Sequence, residues 1–526
     1  MPNMQYLTAL KKLTEQQLLY LLTLIASLIA WRIFFVAQGS INDDATLYFE
    51  AARLFFIGQW QLGINLFEWP FYSLLIAATS WLTRLNLHHS AELLSVIFFS
   101  ITCFSLSKIV QLAGGDKVAI LAVNLLVWSS LYITGDVLGM LLRDTGFWAF
   151  FTGGVAVFML FERAPSYFYA VLWQLLVLFA MQFRIEAISY LMLIPFTIFL
   201  QANIALRFKV RLYLQANTLL IALLLVLTAA IATGGLAKLA SLGRMQEVSD
   251  IIFNSSKTLL EGFKAKSGMM GEHVLGRYLA DYASFSLVIS LVCITLYKAL
   301  LAAGFTPLIL LASQGKKALN LPNAQARALL LGTAGIALLN ALTITFRSYV
   351  LSSRYVVAFG FIVIIFAAFA FSRLYANYKK NLNVDDKPNV LSKKLGHFVL
   401  FAAVLLFAAG ILKNIAPKPD AYYYEQNAVA WIKNHTQSTS TRIYYDSSRL
   451  RYYAQAPWAG REDIEKFDSL ITALNNETVR YDYLLMRTKP SNIDKHNQLK
   501  QLQHYKMIKS FSNKSSNQII IMQHTE

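Results

Sequence analysis

Two acidic sites in this mostly apolar chain carry residues that could do chemistry. Asp43 and Asp44 form a pair directly after the first apolar run of membrane length. About a hundred residues further on, Arg143 and Asp144 close another apolar stretch. Carboxylates beside a membrane are costly, so they are kept mainly where they serve a function. Because a carboxylate can accept a proton from a reacting group, Asp43, Asp44 and Asp144 are our candidates for catalysis.

Both acidic sites also have a structural interpretation. Residues 45–56 have the apolar spacing of an amphipathic helix, so Asp44 could be its N-cap and satisfy free backbone amides. One aspartate is enough for a cap, so capping does not account for the second carboxylate. Arg143 could extend to the lipid headgroups with Asp144 as its counter-ion or as a helix cap, or this pair could support the first acidic site.

Two further sites place arginine beside apolar runs. Arg184 and Glu186 interrupt an apolar hairpin, where they could form a structural ion pair or contact a substrate. Arg354 and Tyr355 open a later apolar run, one or two helical turns after Arg347. The planar guanidinium group binds two phosphate oxygens at once, so Arg354 and Arg347 are candidate phosphate ligands. Ordinary anchoring at the membrane interface is the alternative.

Composition indicates a polytopic α-helical membrane protein. The chain has 526 residues, of which 56% are hydrophobic and 14% charged, and its mean hydropathy is +0.47. Many apolar runs are long enough to cross a bilayer. The net charge of +18 comes from short basic loops, which indicates membrane orientation rather than nucleic-acid binding. The two cysteines, Cys103 and Cys293, both lie in apolar runs and predict neither a disulfide framework nor a metal cluster.

We predict about eleven crossings with boundaries good to a few residues: 16–37, 91–113, 117–138, 145–162, 166–183, 187–203, 213–235, 283–312, 327–347, 354–373 and 396–414. The span 283–312 is expected to break near Gly304 and Pro307. The apolar segment 70–85 is short and is predicted to lie along the membrane surface instead of crossing it.

Loop charge supports this topology. With residues 70–85 at the interface and the N-terminus cytoplasmic, nearly every basic cluster falls on the cytoplasmic side. These clusters are Lys11, Lys12, Lys108, Lys117, Arg163, Arg207, Lys209, Arg211, Lys316, Lys317, Arg327, Arg373, Lys379, Lys380, Lys387, Lys393 and Lys394. All the candidate site residues then lie on the outer face, where we expect the two acidic loops to share one pocket.

The chain is predicted to have two domains. Residues 1–414 form an all-α transmembrane bundle with interfacial helices and outer loops at 38–90 and 236–282. Residues 415–526 are polar, with strand patterns at 441–446, 481–486 and 518–522 and helical patterns at 423–435 and 463–475. They predict a small α/β domain outside the membrane, which could also be a stabilising cap without chemistry.

Five elements in order resemble the GT-C class of integral-membrane glycosyltransferases, especially the protein O-mannosyltransferases and the lipid A aminoarabinose transferases. The resemblance covers residues 1 to about 375. Its elements are the acidic pair 43–44, the interfacial segment opened by WPFY at 69–72, Arg143-Asp144, the hairpin 184–186, and the sequence SRY at 353–355. The chain departs from the pattern in having Val356-Val357-Ala358 where relatives often have proline, and aspartate at both positions of the acidic pair.

The resemblance implies a GT-C fold and an inverting transfer of sugar from a polyprenyl-phosphate donor. It implies Asp43 or Asp44 as the base on the acceptor hydroxyl, and Arg354 as the ligand of the phosphate leaving group. Two acidic loops could also hold a divalent cation, but the resemblance implies no metal or other cofactor. The acceptor stays open between a glycan, a lipid and a protein.

The expected location is the inner (plasma) membrane, with a cytoplasmic N-terminus and a periplasmic C-terminal domain. Two other functions stay open at this point. A transporter or flippase for lipid-linked glycans would place charges near the membrane midplane. An O-antigen ligase or polymerase would have a large, basic late outer loop, which the mixed charge of 236–282 fits poorly.

Overall fold

The computed structural model of the protein describes residues 13–202, 204–232, 255–382, 390–417, 423–436, 441–456, 467–489 and 492–525. The chain divides into two compact units. The first contains Met1–Ile33, Glu92–Leu138 and Arg143–Ile415, and the second contains Phe34–Ala91, Gly139–Leu142 and Ala416–Glu526. Lys11, Lys12, Lys387 and residues 236–254 of the expected outer loop lie outside the described ranges.

Seven helices in the described part of the chain are long and apolar enough to span a membrane. They are Glu15–Ala37, Leu87–Leu112, Asp144–Arg163, Ala280–Ala303, Ala324–Ser348, Ser353–Lys380 and Leu395–Ile415. Two pairs of helices join them if each bent pair is one span: Lys117–Ser129 with Leu131–Met140, and Leu206–Ala216 with Thr218–Val226. The predicted helical membrane fold is thus confirmed.

The predicted count of about eleven crossings is not confirmed, because the described residues contain seven or nine such spans. The difference between eleven and nine arises at the hairpin around Arg184. Its helices, Tyr167–Phe183 and Ala187–Leu200, are apolar but contain at most 17 residues. A span needs about 20 residues to cross the hydrocarbon core.

The first unit also contains shorter helices. They include Thr218–Ala232, Ser255–Met270 and Phe305–Ala312. Helix Ala283–Ala303 ends at Gly304, which has a φ of +89°. Glycine adopts this conformation without the steric cost of a Cβ, so the predicted break occurs there.

Close packing fixes the hairpin made by helices Asp144–Arg163 and Tyr167–Phe183. A Cβ added to Gly154 would lie only 2.8 Å from Val177 Cγ2. Small residues let the backbones of membrane helices approach closely. Because the two helices are joined by a short turn, the start of the first and the end of the second lie near each other.

The span expected at 117–138 is bent by 48° where helix Lys117–Ser129 meets a π-helical turn, Leu131–Val137. The bend follows from local hydrogen bonds. Ser130 Oγ accepts from the amide of Ile133 at 3.1 Å. Buried Asn414 donates to the carbonyls of Trp128 at 2.8 Å and Ser130 at 3.1 Å. Side chains that satisfy freed carbonyls permit such breaks within apolar helices.

Three helices form the early part of the second unit: Asp43–Phe56, Trp60–Leu66 and Phe71–Thr83. The last has 13 residues and is therefore about 20 Å long. This is shorter than the hydrocarbon core of about 30 Å, in agreement with the prediction that segment 70–85 does not cross. Its interfacial position stays a prediction.

The C-terminal part of the second unit contains a four-stranded sheet within the described residues, in the order β1-β2-β4-β3. The strands are β1 (Ile443–Tyr445), β2 (Tyr483–Thr488), β3 (Tyr505–Ser512) and β4 (Gln518–His524). β1 and β2 are parallel, and β4 is antiparallel to both β2 and β3. Three of these strands lie where the sequence predicts them.

Helices cover both faces of this sheet. Leu484, Met486 and Ile520 face one apolar core with helices Phe467–Asn475 and Ile493–Lys500. On the other face, Leu485, Ile519 and Ile521 pack with helices Tyr423–His435 and Ser448–Ala454. The alternation along β2 and β4 follows from the two-residue period of a strand. The helix predicted at 423–435 is confirmed, and of the one predicted at 463–475 the described part, Phe467–Asn475, is a helix.

Candidate active site

Asp144 is a buried carboxylate at the start of a helix in the first unit. It is the first residue of helix Asp144–Arg163 and is 2% exposed. The positive end of the helix dipole favours a negative charge at this position. A buried charge also needs an opposite charge with good hydrogen bonds, since a lone one is strongly destabilising.

Arg184 supplies that opposite charge. It follows helix Tyr167–Phe183, so the hairpin returns it to the start of helix Asp144–Arg163. Its Nη1 donates to Asp144 Oδ1, and its Nη2 donates to Glu186 Oε1 at 3.2 Å. One guanidinium group is therefore shared between two carboxylates, and the predicted ion pair at the hairpin is observed with Asp144 added to it.

The pKa shifts of the hairpin residues follow from this arrangement. Burial alone would lower the pKa of Arg184, but Glu186 and Asp144 outweigh burial and raise it. Burial alone would raise the pKa of Glu186, but Arg184 and, more weakly, Arg143 lower it below its ordinary value. Both residues of the hairpin are therefore held in their charged forms.

The turn Ser353–Val356 brings two more predicted residues to this place. Arg184 Cζ lies 4.1 Å from the centroid of the Tyr355 ring, a cation–π geometry. Arg354 Nη1 lies 3.8 Å from Asp144 Oδ2, which is longer than a hydrogen bond. The side chain of Arg354 is 26% exposed, against 7% for Arg184. Of these two guanidinium groups, that of Arg354 is the more accessible to an anion.

We call this group of residues the Arg184 cluster: Arg143, Asp144, Arg184, Glu186, Arg354 and Tyr355. Arg347 does not join it through any hydrogen bond or ion pair among the described residues. Arg347 is exposed in the last turn of helix Ala324–Ser348. Its predicted role in substrate binding is therefore separate from the contacts that hold the cluster.

Two residues near the cluster were missed in the sequence. The side chain of Tyr132 is hydrogen-bonded to Ser353 and lies close enough to Asp144 and Arg354 to interact electrostatically with both. Asn340 Nδ2 donates to the backbone carbonyl of Glu186 at 3.3 Å. The signal for Tyr132 was its segment, SSLYITGD, in which polar residues and glycine interrupt an apolar run.

The acidic pair lies in the second unit. Asp43 and Asp44 open helix Asp43–Phe56, but the N-cap is Asn42, whose side chain accepts from the amide of Asp44 at 2.9 Å. The interpretation of Asp44 as the cap is therefore wrong. An asparagine two positions earlier satisfies the same need, because its short side chain reaches the first free amides of the helix.

Asp43 has two cationic partners, both from the C-terminal part of its unit. Arg449 Nε lies 3.5 Å from Asp43 Oδ1, and Arg487 Nη1 lies 3.4 Å from Asp43 Oδ2. The side chain of Asp43 is nevertheless 47% exposed. Asp44 is partly buried. That the two acidic loops share one pocket stays a prediction. Within the described residues, no group of three or more His, Cys, Asp and Glu side chains is arranged to hold a metal ion.

We predict that Arg184→Met destabilises the protein by about 3–5 kcal/mol, because it leaves Asp144 and Glu186 buried without their partner. Arg184→Lys should cost less. Since the pKa of Glu186 is lowered in the folded state, its pairing stabilises the wild type fully above the unfolded pKa of about 4.3, and this stabilisation is lost as the pH falls from there through the lowered folded pKa.

The test is thermal unfolding of the purified protein between pH 7 and pH 2.5, a range that extends well below the unfolded pKa of Glu186. The difference in Tm between the wild type and Arg184→Met should narrow as the pH falls, and a difference that does not depend on pH would contradict the assignment. Arg53→Met is the matched control. Arg53 is half exposed and pairs locally with Glu50, so its loss should cost at most about 1 kcal/mol.

No protein-family model matches this chain, and no curated protein matches it in sequence. Among solved structures it is similar to the arabinofuranosyltransferase AftD from Mycobacteria, determined by cryo-electron microscopy. The TM-score is 0.50 and the identity 14%, over 98% of this chain and 40% of the AftD chain. This chain therefore spans less than half the length of AftD.

This chain is also similar to the structure of ArnT from Cupriavidus metallidurans in the apo state, with a TM-score of 0.49 and 11% identity, over 96% of this chain and 97% of the ArnT chain. The resemblance expected from the sequence is confirmed at the level of the fold: this chain has the fold of a GT-C membrane glycosyltransferase.

Proposed function

We propose that this chain is a glycosyltransferase that moves a sugar from a polyprenyl-phosphate donor to a hydroxyl group of an acceptor. The fold shared with an arabinofuranosyltransferase supports the general class. The observation that carries the proposal is the Arg184 cluster, in which a buried Asp144 lies between two arginines and the more exposed of them is Arg354. Such a site can hold an anionic group beside a carboxylate.

In the proposed reaction a carboxylate of the acidic pair, Asp43 or Asp44, takes the proton of the acceptor hydroxyl. The acceptor oxygen then forms a bond to the anomeric carbon, with inversion. The bond from that carbon to the phosphate oxygen breaks, and its electron pair leaves with the lipid phosphate. Arg354 stabilises this leaving group, since an arginine aimed at developing charge lowers the barrier.

The other candidate residues support these steps. Asp144 holds Arg354 and Arg184 in place and is assigned to the catalytic group, as in the sequence prediction. We assign Arg143, Arg184, Glu186 and Tyr355 to donor binding through the cluster, and Arg347 to an outer contact with the donor. No metal or other cofactor is part of the proposal. The acceptor is a glycan, a lipid or a protein.

We place the reaction at the outer face of the inner membrane, where sugars arrive on lipid carriers. In this proposal the N-terminus is cytoplasmic, and residues 415–526 form an extracytoplasmic domain. The position of the charges supports an enzyme over a transporter. Asp144, Arg184, Glu186 and Arg354 all lie at helix ends or in turns, whereas a transport path places charges near the membrane midplane.

We predict that loss of this chain leads to accumulation of one polyprenyl-phosphate sugar in the membrane, because its consumption stops. Mass spectrometry of extracted lipids would identify the donor. The wild-type chain should restore its consumption, while the double variant Asp43→Asn/Asp44→Asn should not, since a general base contributes about 10²- to 10⁴-fold. Full restoration by the double variant would refute the proposed chemistry.

Arg354→Ala should raise the donor concentration needed for half-maximal transfer by about ten- to a hundredfold, because a hydrogen bond to a charged group contributes roughly 1.5–3 kcal/mol. The measurement is transfer in membranes supplied with graded amounts of the donor identified above. The control is Arg207→Ala, since Arg207 is an exposed arginine expected on the cytoplasmic side. Equal donor dependence of the two variants would remove Arg354 from the site.

The proposed topology predicts that a cysteine at Lys500 reacts with an impermeant thiol reagent from outside the membrane. Lys500 is exposed in helix Ile493–Lys500. Lys316 is exposed in a loop that is expected to be cytoplasmic, so Lys316→Cys should react only after lysis. Both are made in a Cys293→Ser background, because Cys293 is exposed and Cys103 is buried. The reverse labelling pattern would invert the topology.

A further inference from the structure

The second unit contains a buried ion pair that the proposed reaction does not use. Glu425, in helix Tyr423–His435, is 0% exposed. Arg449 binds it with two hydrogen bonds, from Nε at 2.9 Å and from Nη2 at 2.6 Å. Burial and the adjacent Glu425 raise the pKa of Tyr424, whose protonated hydroxyl donates to Glu425 at 3.1 Å. Paired arginine–carboxylate bonds of this type fix the direction of the guanidinium group.

The same guanidinium group also faces Asp43. Arg449 Nε lies 3.5 Å from Asp43 Oδ1. Arg449 is therefore shared between a fully buried carboxylate and a half-exposed one. Because Glu425 fixes the position of Arg449, the contact between Arg449 and Asp43 orients the side chain of Asp43 and not that of Arg449.

Arg487 approaches Asp43 from the end of strand β2. Its backbone amide donates to Asp446 Oδ2 at 2.9 Å, and Lys495 Nζ donates to the same oxygen at 2.8 Å. The amide of Asp446 in turn donates to the carbonyl of Leu485 at 3.0 Å. The backbone of Arg487 is thus held by the sheet, and its Nη1 reaches Asp43 Oδ2 at 3.4 Å.

The segments on both sides of Asp43 are bound by other residues of the C-terminal part of the unit. The amide of Ile41 donates to Tyr453 Oη at 3.2 Å, and Tyr423 Oη donates to the carbonyl of Val36 at 3.1 Å. Further along the chain, His88 Nδ1 and Tyr452 Oη are 2.8 Å apart. The start of helix Asp43–Phe56 therefore depends on the C-terminal part of the chain for its position.

We infer that Asp43 is a positioning residue. Together with Glu425, Arg449 and Arg487 it forms what we call the Asp43 cluster. The contacts of this cluster orient the first turn of helix Asp43–Phe56 and with it the carboxylate of Asp44. Each oxygen of Asp43 already faces a guanidinium group, whereas a base must bring an oxygen within about 2.6–3.2 Å of the acceptor hydroxyl. Asp44 points about 100° further round the helix. This inference rests on the proposed function and assigns the proton transfer to Asp44. The C-terminal residues then take part in the reaction indirectly.

Hydrogen–deuterium exchange of the full-length protein in nanodiscs tests the contact without any substrate. In Asp43→Asn and Arg487→Gln, amides 42–49 should exchange up to about tenfold faster, the change that a loss near 1.4 kcal/mol gives. The double variant should exchange no faster than either single one, and Arg487→Lys should retain most of the protection. Glu50→Gln, in an ion pair on the same helix, is the matched control and should leave the exchange rates of these amides unchanged.

Arg449 is not substituted, because its loss would leave Glu425 buried without a partner. Wild-type exchange in Asp43→Asn and Arg487→Gln would overturn the inference.

The rate of sugar transfer distinguishes a positioning role of Asp43 from a role in proton abstraction. The probe is the endogenous polyprenyl-phosphate sugar of native membranes, followed by mass spectrometry as it is consumed. Asp43→Asn and Arg487→Gln should each slow consumption by about tenfold, and the double variant should be no slower. Asp44→Asn should slow it by about 10²- to 10⁴-fold.

The outcomes distinguish this inference from the proposed function. If Asp43→Asn is as slow as Asp44→Asn while Arg487→Gln transfers normally, Asp43 is the reacting group and the inference is wrong. If Asp44→Asn and the double variant Asp43→Asn/Asp44→Asn both transfer at the wild-type rate, the proposed function fails, and the exchange measurement still decides whether the Asp43 cluster orients the helix.

Discussion

The first unit depends on one guanidinium group that neutralises two carboxylates at the ends of helices. Arg184 joins Asp144, which opens one helix, to Glu186, which precedes another. Within an apolar bundle these charges could not be buried separately, because an unpaired ion is strongly destabilising there. Arg184 and Asp144 therefore hold each other in place, and Asp144 in turn lies beside Arg354.

The second unit uses the same arrangement with different residues. Arg449 joins Glu425, which is fully buried, to Asp43, which is half exposed. In the first unit Arg184 likewise joins the nearly buried Asp144 to the more exposed Glu186. In each case the buried carboxylate fixes the arginine, and the arginine then orients a more accessible carboxylate. Fixed charges of this kind suit a site that must not reorganise during a reaction.

Much of the fold and part of the candidate site could be predicted from the sequence. Hydropathy located the apolar helices. The isolated polar sites at 143–144, 184–186 and 354–355 proved to be neighbours, because a charge buried in an apolar unit needs an opposite charge beside it.

Pattern alone did not identify Asn42 as the cap, since Asp44 satisfies the same sequence rule. Tyr132 was missed because aromatic residues in an apolar run are usually packing residues. Strand β3 was missed because most of its residues, including two lysines, are at least partly exposed, which leaves little apolar signal. The partners of Asp43 lie more than 400 residues along the chain, a distance that no local pattern spans.

The second unit joins an early part of the chain to a late one, and this has a consequence for biosynthesis. Asp43 and Arg487 are 444 residues apart. At a translation rate of roughly 5–20 residues per second, the ribosome reaches Arg487 about 20–90 s after Asp43. During that interval helix Asp43–Phe56 is without its C-terminal partners while the intervening spans are inserted. Formation of the complete unit therefore reports that the whole bundle between its two parts has been synthesised.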